Sequence, residues 1–549
     1  MSYIKILKLL ASIFLFVQLF PARSQELSLP YRSAGWTDRE AAAHVLNRLA
    51  YGPQPGQVQN IEGDLENWVR DQLKAAHGTK ALEKQLHSAY RALSLDLEAI
   101  GQTYPAPGVR LIFMMRQRGQ YVDRRGRGRA GRGNMQGERG AMMGSDSSRG
   151  NGQQDLLQRI LNAEENTSER YKRFSKLAED RFGWRPFEAL FYQLMAQKIE
   201  RAIYSPNQLE EVMVDFWFNH FNVSIHGVND MASQVLSYER DAIRPHALGK
   251  FRDLLGATAK HPAMLIYLDN HRSNADAGAT TLAKPNPRRE RMMQDRLEEN
   301  PSLKQFAQQP GVNENYAREL LELHTMGVDG GYTQRDVEEV ARAFTGWKAS
   351  PLIYPVPDQM AEVLKRQIAA YPRAVLEHGF YFDPTRHDAE EKVILGEKFA
   401  AGGGVEEGER ILDMVAAHPS TAAFISRKLA IRFVCDDPPK SLIDKMAATF
   451  TASDGDIKRV LETLFTSEEF WDKQHLAAKI KTPLEYLVSS LRATNSAING
   501  YRALIRWCTQ MGQPLYAYQS PTGYPDNNAF WTNGSALLNR MNFANELAQ

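Results

Sequence analysis

Residues Asn313–Trp347 read NENYARELLELHTMGVDGGYTQRDVEEVARAFTGW, and this stretch carries the most organised local signal in the chain. Tyr316, Leu320 and Leu323 recur at helical spacing, Asn313 offers an N-cap oxygen, and Gly327 suits the left-handed residue that ends a helix. Gly330-Gly331 turns the chain. Thr333, with Asp336 three residues on, then makes a capping-box start for a second helix bearing Val337, Val340, Ala341 and Phe344. The stretch predicts a helical hairpin. Working outward, the same period appears from Thr37 to Ala76, where Ala43, Leu46, Leu49 and Ala50 precede the stop at Gly52-Pro53, and again from Ala81 to Ile100. It returns at Leu156, runs through Phe187, Met195 and Ile199, resumes from Gly408 to Ile505, and closes in an amphipathic helix from Gly534 to Leu547. Only the segment from Pro351 to Gly396 has weak helical signals; its Tyr354, Phe380, Tyr381 and Val393 suit short strands. The fold class is therefore mainly α: a large multi-helix globular domain with long loop insertions and a few short strands.

The chain opens with Lys5 and Lys8, an apolar run from Leu9 to Phe20, and small residues at Ala22 and Ser24. That order describes a secretory signal peptide over 1–24, cleaved after Ser24, and places the mature protein outside the cytoplasm, in the periplasm or secreted. The apolar run is about 12 residues where roughly 20 are needed to span hydrocarbon, so no integral membrane segment is expected after cleavage. Hydrophobic residues at 43% and charged ones at 24% suit a soluble protein with a substantial core, and a net charge of +2 argues against nucleic acid as a partner. Residues 25–115 form an N-terminal helical part. Residues 116–154, dominated by Arg and Gly as in Arg124-Arg125-Gly126-Arg127-Gly128-Arg129, lack the apolar content to fold and read as a disordered loop. Residues 155–549 form the main helical part, with a polar surface insertion at about 271–300. Cys435 and Cys508 are the two cysteines, either one disulfide or two separate buried thiols.

Three clusters offer chemistry. On the first helix of the hairpin Asn315, Glu319 and Glu322 share one side, with His324 nearer the apolar stripe. Two carboxylates and an imidazole so placed can hold a metal or act as an acid/base pair; alternatively Arg318 and Glu322, four apart, simply pair, and His324 is a core histidine. In Asp215-Phe216-Trp217-Phe218-Asn219-His220-Phe221-Asn222, a polar stripe of Asp215, Asn219 and Asn222 runs beside Trp217, His220 and Phe221. It is either core hydrogen bonding or a pocket lining. The third cluster joins His378 and Asp383 to His387-Asp388, a dipeptide used by some metal phosphohydrolases and equally suited to ordering a turn. Glu319, Glu322, His324, His220 and His387 are the candidate catalytic residues. No nucleophile-elbow Gly-x-Ser-x-Gly, phosphate-binding loop or paired His-Glu-x-x-His motif is present, and no residue pattern specifies a cofactor or a metal.

Several stretches together resemble one family: His44–Pro53, Trp217–Phe221, His261-Pro262-Ala263-Met264-Leu265, Asn313–His324, Gly331-Tyr332-Thr333, Phe344-Thr345-Gly346-Trp347, His387-Asp388, His418-Pro419, Lys481–Glu485 and Trp531–Arg540. They are similar to the domain of unknown function 1800 family. The resemblance implies an exported, largely helical bacterial protein, encoded beside members of the domain of unknown function 1501 family, which are similar to sulfatases and alkaline phosphatases. The family carries no established reaction. Two function classes follow: an extracytoplasmic hydrolase of cell-envelope or polysaccharide substrate, its five candidates converging on one pocket, or a non-catalytic partner or scaffold for a sulfatase-like protein. Convergence favours the first, and dispersal into separate pairs the second.

Overall fold

Capping chemistry sets where many of the helices begin. Thr37, Thr333 and Thr482 each accept the backbone N–H three residues on, and Glu40, Asp336 and Glu485 reach back to the threonine N–H. His261 and His418 cap by another route: ring Nδ1 accepts the N–H of Ala263 at 3.1 Å and of Ser420 at 3.2 Å. The proline after each histidine has no N–H to leave unpaired.

In the computed structural model the described residues are 27–75, 77–105, 183–226, 231–287, 311–356 and 358–548, with isolated positions at 176, 179, 180, 291 and 295. The expected signal at 1–24 and the Arg/Gly segment at 116–154 lie outside them, as does most of 288–300. The near part of that insertion divides in two: Ser273 and Asn274 are buried, while most of 276–287 is exposed or half-exposed.

Helices dominate the described residues. The Phe187–Tyr204 helix packs along Pro483–Thr494, and it leads into Gln208–His220. Pro419–Phe433, Lys440–Ala452 and Ile457–Phe465 pack in succession. Among the described residues the first helix, Asp38–Arg48, closes against the C-terminal third: Trp36 Nε1 donates to the Trp471 carbonyl at 2.5 Å and Arg48 to that of His475 at 2.8 Å. One continuous apolar core results, from Leu29 to Phe543. No helix among the described residues is long and apolar enough to cross a membrane.

Short strands occur where expected, with differences. Phe380–Phe382 pairs antiparallel with both Trp347–Ala349 and Val375–Glu377, and Lys392–Ile394 forms a hairpin with Glu397–Phe399. Tyr354 is in none of them; it follows the 3₁₀ turn Pro351–Ile353. The same segment, read as weakly helical, holds a helix, Asp358–Ala369, in which Met360, Leu364 and Ile368 recur at four-residue steps while Met360 and Val363 stay exposed. The helix expected at Gly408 starts at Val405, and Gly408 sits inside it because a Cβ there would collide with the Trp347 ring. Both thiols are free; burial raises the Cys435 thiol above its ordinary value and, with Asp215 second, the Cys508 thiol to about 12.

The hairpin forms, but not as a regular helix. Asn313 Oδ1 accepts the Asn315 N–H at 2.9 Å, the capping bond expected of it, and the α-helical part is Asn315–Glu319. Leu320–Thr325 continues as π-helix, a wider turn often found at functional positions, and Gly327 ends it at φ +84°.

Candidate functional site

The structure separates the five predicted residues into three places. His220 and His324 meet in the core, both nearly fully buried, with His220 Nε2 3.0 Å from the His324 carbonyl and ring centroids 6.3 Å apart. Burial, with Lys428 second, brings His324 down to about 3 and His220 well below the ordinary imidazole range, so both are neutral. Glu319 and Glu322 lie half-buried on the outer side of the same helix. Arg318 does not pair with Glu322; it binds Glu314 at 2.9 Å. Burial first and Glu322 second raise the Glu319 carboxyl.

His387 belongs elsewhere. Its Nδ1 donates to the Thr345 carbonyl at 2.9 Å and its Nε2 lies 3.4 Å from Glu407, which also pairs with buried Lys392 at 2.8 Å. Asp388 takes a two-pronged contact from Arg342 and accepts the Glu390 N–H at 2.9 Å, the turn-ordering role weighed for the His-Asp pair. Among the described residues no three His, Cys, Asp or Glu side chains gather to hold a metal.

These placements carry a stability expectation. Glu319→Gln removes a carboxyl that burial already disfavours when charged, and should change stability by about 1 kcal/mol or less. His324→Ala empties a packed position and should cost roughly 2–3 kcal/mol, read as an early melting transition. Equal melting temperatures for the two variants would show that His324 is not held by packing.

None of the five lines a cavity of about 450 Å³, which is lined instead by the polar stripe Asp215, Asn219, Asn222. Both roles weighed for that stripe are realised at once. Asp215 binds Lys198 Nζ at 2.9 Å on the cavity wall, and Lys198 also reaches the buried Glu239 at 3.1 Å. Burial would raise the Glu239 carboxyl, but Lys198 and Arg244, with hydrogen bonds donated by Tyr516 and Gln197, override it and bring it down to about 2. The two asparagines act as tethers. Asn219 donates to the Tyr524 carbonyl at 2.9 Å and accepts its N–H at 2.7 Å; Asn222 donates to the carbonyls of Tyr518 and Ser520 at 3.0 and 2.7 Å. They fasten the loop after Pro514 across the cavity.

That loop supplies an aromatic wall. Tyr518 and Tyr524 lie 4.4 Å apart and Tyr524 and Trp531 5.5 Å apart by ring centroid, and Phe216, Phe218 and Tyr516 also line the cavity. Tyr516 adopts φ +59°, unusual for a bulky side chain, and is held by Glu239 and by the Ile225 N–H on its carbonyl at 2.8 Å. Gly523 has φ +69° and packs so close to the Asn219 backbone that any Cβ would overlap its carbonyl oxygen.

Sequence reading found the stripe but not its neighbours. Lys198, Arg48, Lys481 and Tyr516 carry no local signature of a site. A usable signal was the charged run Lys198, Glu200, Arg201 inside an otherwise apolar helix, since buried charges need partners. Four of the stretches carrying the resemblance contribute to the lining: His44, Asn47 and Arg48; Phe218 and Asn219; Lys481, Thr482 and Glu485; and Trp531.

No curated protein and no solved structure matches the chain. The family model described as "Protein of unknown function (DUF1800)" matches residues 44–549, which include every residue lining the cavity except Glu40 and Ala43. The chain therefore belongs to the DUF1800 family of proteins of unknown function.

Proposed function

We propose that the protein is an extracytoplasmic, non-catalytic binder of a saccharide-like ligand of cell-envelope or polysaccharide origin, working beside a sulfatase-like protein of the domain of unknown function 1501 family. The observation that carries the ligand class is the tethered aromatic wall. Aromatic faces suit the C–H faces of a sugar ring, charged and amide groups at its edges suit hydroxyls, and a loop pinned before binding loses little entropy on closing. The volume of about 450 Å³ accommodates a disaccharide-sized ligand. The non-catalytic reading is supported by the dispersal of the five candidates and by the cavity's acidic groups: Asp215 faces Lys198, Glu485 faces Arg432 at 2.6 Å, and Asp526 faces Lys428 at 3.1 Å. Glycoside hydrolysis uses one carboxyl kept protonated, and paired carboxylates are poor acids. The hydrolase reading of the same cavity rests on Asp215, whose side chain is 29% exposed there.

Calorimetric titration of the purified chain with cellobiose and chitobiose tests this, with parallel chromatography of the sugars. The expected result is binding with a dissociation constant of about 1 mM or tighter for one of them, and no cleavage. Gly523→Ala should weaken that binding by about tenfold or more, because the loop cannot dock with a Cβ against Asn219. Absence of binding by the parent chain overturns the reading, and release of monosaccharide moves it to the hydrolase.

A further inference from the structure

The cations of the cavity wall are unevenly matched. Lys198 faces Asp215 and Glu239, Arg432 faces Glu485, and Lys479 faces Asp436 at 2.5 Å. Arg48 and Lys481 line the same wall and have no ion pair among the described residues. Arg48, only 5% exposed, donates to the His475 carbonyl at 2.8 Å, and Lys481 donates to Asn47 Oδ1 at 3.0 Å. Three cations, Arg48, Arg432 and Lys481, thus surround one carboxylate, Glu485; Glu40, the other acid nearby on the lining, is taken up by the Thr37 cap.

An independent feature stands beside them. His44 lines the cavity, is 4% exposed, and its Nε2 has no hydrogen-bond partner. Burial and Arg48 keep the ring neutral at about 3, and its other nitrogen is engaged by the Phe470 backbone. Nε2 is therefore left as a buried acceptor, which ordinarily finds a partner.

We propose that Arg48 and Lys481 form the oxyanion end of the cavity, selecting a saccharide that carries a carboxylate or a sulfate ester, with His44 Nε2 accepting an adjacent hydroxyl. The guanidinium presents a planar fork to such a group and the ammonium a point charge, and both are partly desolvated, which strengthens charge-assisted hydrogen bonds. The proposal rests on the saccharide-binding reading and adds its charge.

The test titrates the full chain with cellobiouronic acid, cellobiose 6-sulfate, cellobiose and inorganic sulfate. One of the two acidic disaccharides should bind about tenfold or more tightly than cellobiose, and which one does so identifies the oxyanion. That advantage should shrink with added salt while cellobiose binding stays constant. Lys481→Met should abolish most of the advantage, read as the ratio of the acidic to the neutral dissociation constant in the same variant; Lys481→Gln, which keeps a hydrogen bond to Asn47, should abolish it too, and an advantage retained there overturns the role of the charge. Equal binding of acidic and neutral disaccharides by the parent overturns the oxyanion end and leaves saccharide binding standing. Sulfate alone binding as tightly as the acidic sugars overturns the saccharide part. Failure of every sugar to bind overturns both readings.

Discussion

Lowering the pH from about 7 to about 5 is expected to remove most of the stability of this fold. Four histidines are buried and neutral: burial, aided by Arg48, brings His44 to about 3; burial and Arg240 bring His261 to about 3; burial and Lys428 bring His324 to about 3 and His220 well below its ordinary range. Unfolded, each imidazole takes up a proton near 6.5; folded, it cannot until far lower. The unfolded state therefore binds more protons in that window, and stability that is whole above pH 6.5 is lost as pH falls toward 3. Each such group removes roughly 1.4 kcal/mol per pH unit below 6.5, so four together remove about 5–6 kcal/mol per unit, comparable with the whole stability of a typical domain. His261 adds a specific failure: protonating the Nδ1 that accepts the Ala263 N–H uncaps its helix. Carboxylates held low, such as Asp336 and Glu485, lose their contribution only below their ordinary range near 4, which separates the two effects. Urea midpoints at pH 7.5, 6.5 and 5.5 check this. A flat profile across those three would falsify the claim that these rings stay neutral in the fold.

Lys198→Met should be the most damaging single substitution on the cavity wall. Lys198 is 8% exposed and sits between Asp215 and Glu239, and the substitution leaves Glu239, 2% exposed, with the donors Gln197 and Tyr516 as its direct hydrogen-bond partners among the described residues. Removing one partner of a buried ion pair typically costs about 3–5 kcal/mol, because an uncompensated charge is left in a medium that solvates it poorly. The double variant Lys198→Met with Glu239→Gln should recover part of that loss, since the fully buried carboxylate is then neutral and only the part-exposed Asp215 lacks its partner. Equilibrium denaturation showing a loss under about 1 kcal/mol for Lys198→Met would mean that the network is solvated.

What could be read in advance was set by interactions a few residues long. The capping box at Thr333, the end at Gly327, the closing helix and the strand positions of Phe380 and Tyr381 follow from spacing and backbone donors alone. Tertiary packing decides what local preference does not: the π-turn at Leu320–Thr325 replaces a regular helix by an arrangement that leaves His324 in the core beside His220.

The candidate site divides the same way. The stripe Asp215, Asn219, Asn222 was legible as polar atoms on an aromatic helix, because its four- and three-residue steps are a property of the helix itself. Which reading it served was not, since its partners are Lys198, Glu239, Tyr516, Tyr518 and Tyr524, and Tyr524 lies 305 positions along the chain from Asn219. The sequence by itself determined a helical protein, its family and the polar stripe; the tertiary structure alone decided that the stripe faces a cavity and that the five expected residues do not share it. The physical reason is range: capping and periodicity act over three or four residues, whereas a cavity is assembled from segments whose proximity exists only once the apolar core from Leu29 to Phe543 has closed.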